Sequence, residues 1–406
     1  VSPPDPSSAA PDPSEGAGAV PAGEPSAIAE LPVSKLAVQA ARGPAPGIAL
    51  CLSGGGYRAM LFHVGALWRL LDGGLLERLD RISCVSGGSI TGATLALAWG
   101  EVRPGEDRAL DRFKAHVVDP LRKLAGVTID VPAGLYGVLL PSRTISAEVE
   151  RRYAKRLFGS STLQDLPDRP RFVINSTNLQ SGVLWRFSKP YARDYLVGEI
   201  ERPRVRVAAA VAASSAFPPF LSPARLDLRK EAFAAHPDDQ LTGEAYRSRP
   251  ILSDGGVYDN LGLETAWKRY RTVLVSDGGG KLAPEEKVPR DWARQSMRVL
   301  KVIDGQVRSL RKRALIDSYR EGAREGAYWG IRTDVSSYGF AGALPCPREQ
   351  TRELAEISTR LAKLAPVVQE RLINWGYAVC DAALGAHYPA APMTGRTFPY
   401  PSAGVG

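Results

Sequence analysis

Three segments of this chain end an apolar run in small, polar or acidic residues: Leu52-Ser-Gly-Gly-Gly-Tyr-Arg58, Cys84-Val-Ser-Gly-Gly-Ser89 and Ser253-Asp-Gly-Gly-Val257. Before the first lies Gly47-Ile-Ala-Leu-Cys-Leu-Ser53, with the character of a buried parallel strand. After it, Met60, Leu61, Val64, Leu67, Trp68 and Leu71 recur at helical spacing, which predicts a helix over Arg58 to Leu71. The glycines therefore stand where a strand meets a helix start. Backbone N–H groups there lack intrahelical partners, and the helix dipole favours negative charge. Such a loop can hold a phosphate or the oxyanion of an acyl-transfer intermediate.

The second segment repeats the layout, with Arg81 to Val85 as a strand and Ser89 to Trp99 as a small-residue helix. Ser86 falls on the turn between them. A tight strand-to-helix turn exposes a serine hydroxyl, as in the nucleophile elbow G-x-S-x-G, although Cys84 replaces the first glycine here. Serine is also a favoured helix N-cap, and Ser89 competes as cap and as nucleophile. Ser86 is preferred because it follows the apolar run directly and has Gly88 two positions on.

In the third segment Asp254 stands at a strand end beside a flexible turn, where a base could meet Ser86. Asp277, in Val275-Ser-Asp-Gly-Gly-Gly280, is a close rival, and either aspartate could merely shape an Asx turn. The four histidines are His63, His116, His236 and His387, and none lies in a turn beside these motifs. A Ser-Asp dyad is thus simpler than a Ser-His-Asp triad. His63, among apolar neighbours within a helix, reads as a packed, hydrogen-bonded residue. Gly54-Gly-Gly-Tyr-Arg-Ala59 also fits the G-x-G-x-x-A form of a dinucleotide loop. That reading needs an acidic residue at the end of the second strand, which ends instead in Val85-Ser86.

The order Gly-Gly-Gly-x-Arg, x-x-Ser-x-Gly, Asp-Gly-Gly resembles the patatin-like phospholipases, a family that includes the plant patatins and is similar in its core to cytosolic phospholipase A2. Val173-Ile-Asn-Ser-Thr-Asn-Leu179 resembles the strand crossing the middle of that family's sheet, and Ala213-Ser-Ser-Ala-Phe-Pro-Pro219 its Ala-Ser-x-Ala-x-Pro block. The resemblance implies an acyl hydrolase with Ser86 as nucleophile and Asp254 as its base. It further implies an oxyanion hole from the backbone of Gly54, Gly55 and Gly56, supported by Arg58, with no metal and no cofactor. The implied substrate is a lipid carboxylic ester, phospholipid or lysophospholipid. The alternative is a non-catalytic patatin-like module that binds lipid or a partner. Without a histidine, burial must raise the aspartate above its usual value of about 3.9 before it can serve as a base.

The elements that must position these residues are α/β: a three-layer α/β/α sandwich with a mostly parallel central sheet, plus a helical C-terminal segment. Helices are predicted over Asp107 to Leu124 with a break at Pro120, Ile145 to Phe158, Val205 to Ala213, Leu261 to Tyr270, Val299 to Glu321 and Gln350 to Ala383. Strands are predicted over Arg171 to Ser176, Val183 to Phe187 and Thr272 to Ser276. Residues 1–45, rich in Pro, Ala, Gly and Ser, read as a disordered leader. Residues 46–285 form the catalytic core, 286–384 a helical part packed on it, and 385–406 a loose tail.

No apolar run reaches the ~18 residues of a transmembrane helix, so the expectation is a cytoplasmic or peripheral membrane-associated chain. Cys51 and Cys84 fall on core strands, while Cys346 and Cys380 remain as a pair that could bridge. The net charge of +9 suits peripheral contact with an anionic membrane surface or head group without requiring either. Nucleic acid is not expected, because no binding motif accompanies the charge. Arg308, Arg311, Lys312 and Arg313 read as a solvated helix face, with membrane contact as the sharper alternative.

Overall fold

The first glycine segment joins β1 (Ala45–Leu52) to α1 (Gly56–Asp72), and the second joins β2 (Arg81–Val85) to α2 (Gly87–Leu97). The computed structural model describes residues 44–130, 145–236, 239–388 and 396–406. The expected leader falls almost wholly outside the described residues. After α2 come β3 (Arg171–Asn178), β4 (Leu184–Phe187), β5 (Tyr191–Asp194), β6 (Gly198–Glu201) and the alanine-rich helix α3 (Val207–Ser214). Then follow β7 (Ala224–Arg225), β8 (Ile251–Asp254), β9 (Tyr270–Asp277), α4 (Trp292–Arg320), β10 (Glu325–Gly330), α5 (Arg348–Glu356) and α6 (Pro366–His387).

The sheet runs β10-β9-β1-β2-β3-β4-β5-β6, with β8 on β3 and β7 on β8. It is mixed. β10, β9, β1, β2 and β3 are parallel, as expected for strands joined through helices. From β3 onward the pairing turns antiparallel, because β3 to β6 are joined by short turns that only antiparallel neighbours allow. One register matters most. Val85 of β2 pairs with Asn175, and the next residue of β3, Ser176, pairs with Asp254 of β8. β3 outruns β2, β8 takes up the vacated edge, and so the residue after Val85 and the end of β8 come together.

The core is apolar on both sides of the parallel strands. Leu50, Leu52, Ile82 and Ile174 face α1 and α2, while Ala49, Cys51, Val273 and Val275 join Leu261 and Leu315 on the other side. α6 packs along α1 at glycine contacts: a Cβ at Gly65 would collide with the Ile373 carbonyl, and one at Gly376 with the Phe62 carbonyl. The C-terminal helical part is thereby fixed to the element that carries the glycine loop. Among the described residues no helix is long and apolar enough to cross a membrane.

Several expected boundaries move for local reasons. The helix around Pro120 does not break: a π turn over Lys114–Val118 precedes it, and Pro120 stands in the first turn of the α segment that follows, where proline is tolerated. Leu261 to Tyr270 is helical only over Glu264–Trp267, since Gly262 takes φ 68° and β9 already begins at Tyr270. The long helix expected over Gln350 to Ala383 is two, because Pro366 fits only a helix start. Cys346 and Cys380 are both buried and free, so the bridge left open in the sequence is not formed. The described end of the expected loose tail is docked. Ala403 and Val405 are buried, and the Asn374 side chain donates to the carbonyls of Tyr400 (2.8 Å) and Gly404 (2.7 Å) and accepts the Tyr400 N–H (2.9 Å).

Candidate active site

Ser86 adopts φ 50°, a left-handed backbone that costs a non-glycine residue on the order of 1–3 kcal/mol and persists only where the surroundings enforce it. They do so through close packing on both sides. A Cβ at Gly87 would strike the Gly56 carbonyl, and one at Gly88 the carbonyls of Leu52 and Ser53. The departure at Cys84 is explained by Gly92, where a Cβ would meet the Cys84 sulfur; the missing side chain has moved from strand to helix.

The Ser86 N–H donates to Ser214 Oγ (3.0 Å), which donates to the Asn175 carbonyl (2.6 Å) and bonds Ser89 Oγ (2.8 Å). Ser89 is fully buried and committed to this network. Ser86 keeps 8% of its surface exposed, and its side chain acts on the Asp254 carboxyl, which it helps to hold down. The residue that holds the elbow, Ser214, is one that the motif reading did not single out. The block beginning at Ala213 was its only sequence signal.

Asp254 is buried, accepts the Gly256 N–H at Oδ1 (2.7 Å), and donates its own N–H to the Ala216 carbonyl (2.9 Å). Burial pushes its carboxyl up to about 7; the Gly256 N–H and the Ser86 side chain oppose this, and the negative charge of Asp304 on α4 adds to it. Asp277 differs in kind. Burial pushes it up as well, but Arg308 (3.3 Å), the Tyr328 hydroxyl (2.8 Å) and the Gly279 N–H (2.9 Å) together hold it below its ordinary value. It is the counter-ion of α4.

His63 is buried between Ser276 Oγ at Nδ1 (2.8 Å) and the Ser53 carbonyl at Nε2 (2.9 Å). Burial lowers it to about 4, so it is neutral near pH 7, and its Nε2 faces an acceptor and carries the proton. It ties α1 to the ends of β1 and β9.

In the glycine loop Gly55 takes φ 147° and Gly56 φ 61°. The Gly54 N–H is committed to the Asn260 carbonyl (3.1 Å) and the Tyr57 N–H to the Arg360 carbonyl (3.0 Å). The N–H groups of Gly55 and Gly56 have no hydrogen-bond partner among the described residues. The donor set expected from the sequence thus loses Gly54. Its part is steric, because a Cβ there would lie 3.2 Å from Ser86 Cβ and run into the Asn260 side chain.

Arg58 is buried and lowered to about 10 by burial, so it stays charged at neutral pH. Its guanidinium donates to the carbonyls of Gly278 (2.9 Å), Ala355 (3.1 Å) and Ile357 (2.6 Å). It clamps the loop after β9 and the segment after α5 onto the start of α1. That second segment crosses the glycine loop, and the Arg360 guanidinium anchors it to Asp130 (2.9 Å).

A mixed sheet flanked by helices, with a glycine loop, a serine elbow and an Asp-Gly turn converging at its strand ends, defines the patatin fold. The family model described as patatin-like phospholipase matches residues 50–267, more than half of the chain. The chain belongs to the patatin-like phospholipase family. Comparison with curated proteins finds no match. Among solved structures it is similar to human GIVD cytosolic phospholipase A2, at 12% identity and TM-score 0.48, over 84% of this chain and 61% of that one. It is also similar to VipD from Legionella pneumophila, at 16% identity and TM-score 0.39, over 84% of this chain and 67% of that one. The match thus spans less than two thirds of the length of the human protein.

Proposed function

We propose that the protein is a serine acyl hydrolase that cleaves lipid carboxylic esters, of phospholipid or lysophospholipid, by a Ser86-Asp254 dyad. The observation that carries this reading is the elbow serine, Ser86, set beside a buried carboxyl, Asp254, that burial raises and that has no cationic partner among the described residues. Ser86 Oγ attacks the ester carbonyl carbon, its proton passes to Asp254, and the carbonyl electron pair moves to oxygen facing the N–H groups of Gly55 and Gly56. Collapse expels the alcohol oxygen, which takes the proton from Asp254 and leaves an acyl-serine. Water then attacks the acyl carbon, gives its proton to Asp254, and releases the fatty acid as Ser86 recovers that proton. A base near 7 suits both halves, since it must accept and return a proton at neutral pH. Each oxyanion donor contributes on the order of 100- to 1000-fold in rate.

A hydrolysis panel of phospholipid, lysophospholipid, galactolipid and triacylglycerol, with products resolved by mass, tests this reading. Free fatty acid from phospholipid or lysophospholipid is expected. The steps above use only side chains and backbone donors, so EDTA should leave the rate unchanged. Lipid binding without release of fatty acid from any class would instead favour the non-catalytic module, and strict Ca²⁺ dependence would break the scheme.

The pH profile follows from the same assignment. Asp254 must be ionised to act, so kcat/KM should fall about tenfold per pH unit below a midpoint near 7. The Asp304 charge disfavours that ionisation, and Asp304→Asn should move the acid limb to lower pH. An acid limb that stays in place in Asp304→Asn, or one centred near 4, would be at odds with Asp254 as the base.

A further inference from the structure

α4 is the most unusual surface of the described residues. Seven of the thirteen large apolar side chains left exposed are on it, and no residue of the helix before Leu315 is buried. Trp292 is 81% exposed, and Val299, Ile303, Val307 and Leu310 follow at intervals that keep them on one stripe. Contiguous apolar surface of this extent marks an interaction site.

The helix is tied to the catalytic turn. Arg311 donates to Glu264 (3.2 Å) and to the Tyr258 carbonyl (3.5 Å), four residues past Asp254, and Arg308 pairs with Asp277. A second exposed apolar group borders the same aspartate. Val257 lies three residues beyond it, and Phe217 and Phe220 follow Ala216, whose carbonyl accepts the Asp254 N–H. Phe220 is 74% exposed.

Charge selects the occupant. From Trp292 to Leu315 there are seven Arg and Lys residues and one acid, Asp304. Four of the seven are ion-paired, Arg294 with Asp291, Arg298 with Glu285, Arg308 with Asp277 and Arg311 with Glu264, which leaves Lys301, Lys312 and Arg313 in no ion pair among the described residues. Two copies of α4 laid along this stripe would set basic residue against basic residue, whereas anionic lipid head groups meet both the charge and the apolar stripe.

We propose that α4, with the Phe217–Phe220 turn and Val257, is a docking surface for an anionic bilayer, its apolar stripe lying in the interface beside the mouth of the site. Delivery of substrate from that bilayer to Ser86 rests on the hydrolase reading; docking itself does not. The test is cosedimentation of the full chain carrying Ser86→Ala, which leaves the lipid uncleaved, with phosphatidylglycerol/phosphatidylcholine vesicles. Binding should weaken by about tenfold or more on pure phosphatidylcholine, in line with roughly 1 kcal/mol per basic residue near the surface.

The double variant Val299→Ser/Ile303→Ser should also lose at least about tenfold in vesicle binding. The same pair in the Ser86 protein should leave its melting temperature and any hydrolysis of a soluble short-chain ester unchanged. Unaltered vesicle binding by the double variant would overturn the proposal. So would a dimer seen by light scattering that the double variant dissociates while neither form binds vesicles, or binding that appears only once residues 1–40 are removed. A chain that binds vesicles but cleaves no ester sinks the hydrolase reading and keeps the docking surface. One that cleaves the soluble ester but binds no vesicle does the reverse.

Discussion

Ser86→Ala should lose ester hydrolysis by on the order of 10⁴-fold or more and lose all labelling by a fluorophosphonate, while Ser89→Ala keeps its label and turns over within about tenfold of the parent. The two hydroxyls lie three residues apart on one turn, yet their surroundings are opposed. Ser86 stands at φ 50° with its side chain acting on the Asp254 carboxyl and part of its surface open. Ser89 is enclosed, and its hydroxyl serves Ser214, the residue that receives the Ser86 N–H. Removing Ser89 Oγ therefore costs about 1 kcal/mol of stability and a slightly looser elbow, not the nucleophile. Mass spectrometry of the labelled protein reads the outcome directly. A label that survives Ser86→Ala would move the acyl-enzyme elsewhere.

What the sequence made legible are junctions built from contiguous residues. An apolar run that breaks into glycines carries its own strand, turn and helix start, so β1 to α1 and β2 to α2 could be read without knowing any neighbour. His63 could be set aside for the same reason, since its place inside a helical period already implied burial. The contacts that complete the site come from segments far away in the chain, and no local pattern announces them. The Asn260 carbonyl takes Gly54 out of the donor set, and the Arg360 carbonyl takes Tyr57. Ser214 holds the elbow from 128 residues on. The antiparallel approach of β8 depends on β3 outrunning β2, a difference in length that periodicity cannot supply. Residues 396–406 looked loose because Pro, Gly and Ala carry no period; they are held by distant partners, the Asn374 amide on Tyr400 and Gly404 and Asp381 on Arg396. On α4 the helix was expected, but which of its faces stays uncovered is a property of the packing.

The two Asp-Gly-Gly turns, alike in sequence, should part in both activity and stability. Asp254→Asn keeps the shape and the Gly256 bond but cannot take a proton, so turnover should fall by about 10³-fold or more. Its stability should hold or rise. Folding lifts this carboxyl from 3.8 to about 7 through burial, so the folded state binds more protons than the unfolded one between those values. Stability therefore drops as pH rises through that window and stays reduced above it, and an amide removes the loss.

Asp277 has the opposite sign. Despite burial, Arg308, Tyr328 and the Gly279 N–H hold its carboxyl below 3.8 in the folded state, so its contribution is full above that value and is lost as pH falls through the folded pKa. Asp277→Asn leaves Arg308 largely buried without its nearest counter-charge and should cost roughly 3 kcal/mol, seen as a lower melting temperature at pH 8. Assayed well below that temperature, it should keep activity within about tenfold, because nothing in the proposed proton path passes through it. Melting curves and kcat/KM for both variants at pH 8 decide the matter together. If a folded Asp277→Asn is inactive while Asp254→Asn turns over, the base is Asp277, and the pairing of β8 with the end of β3 serves only to shape the turn.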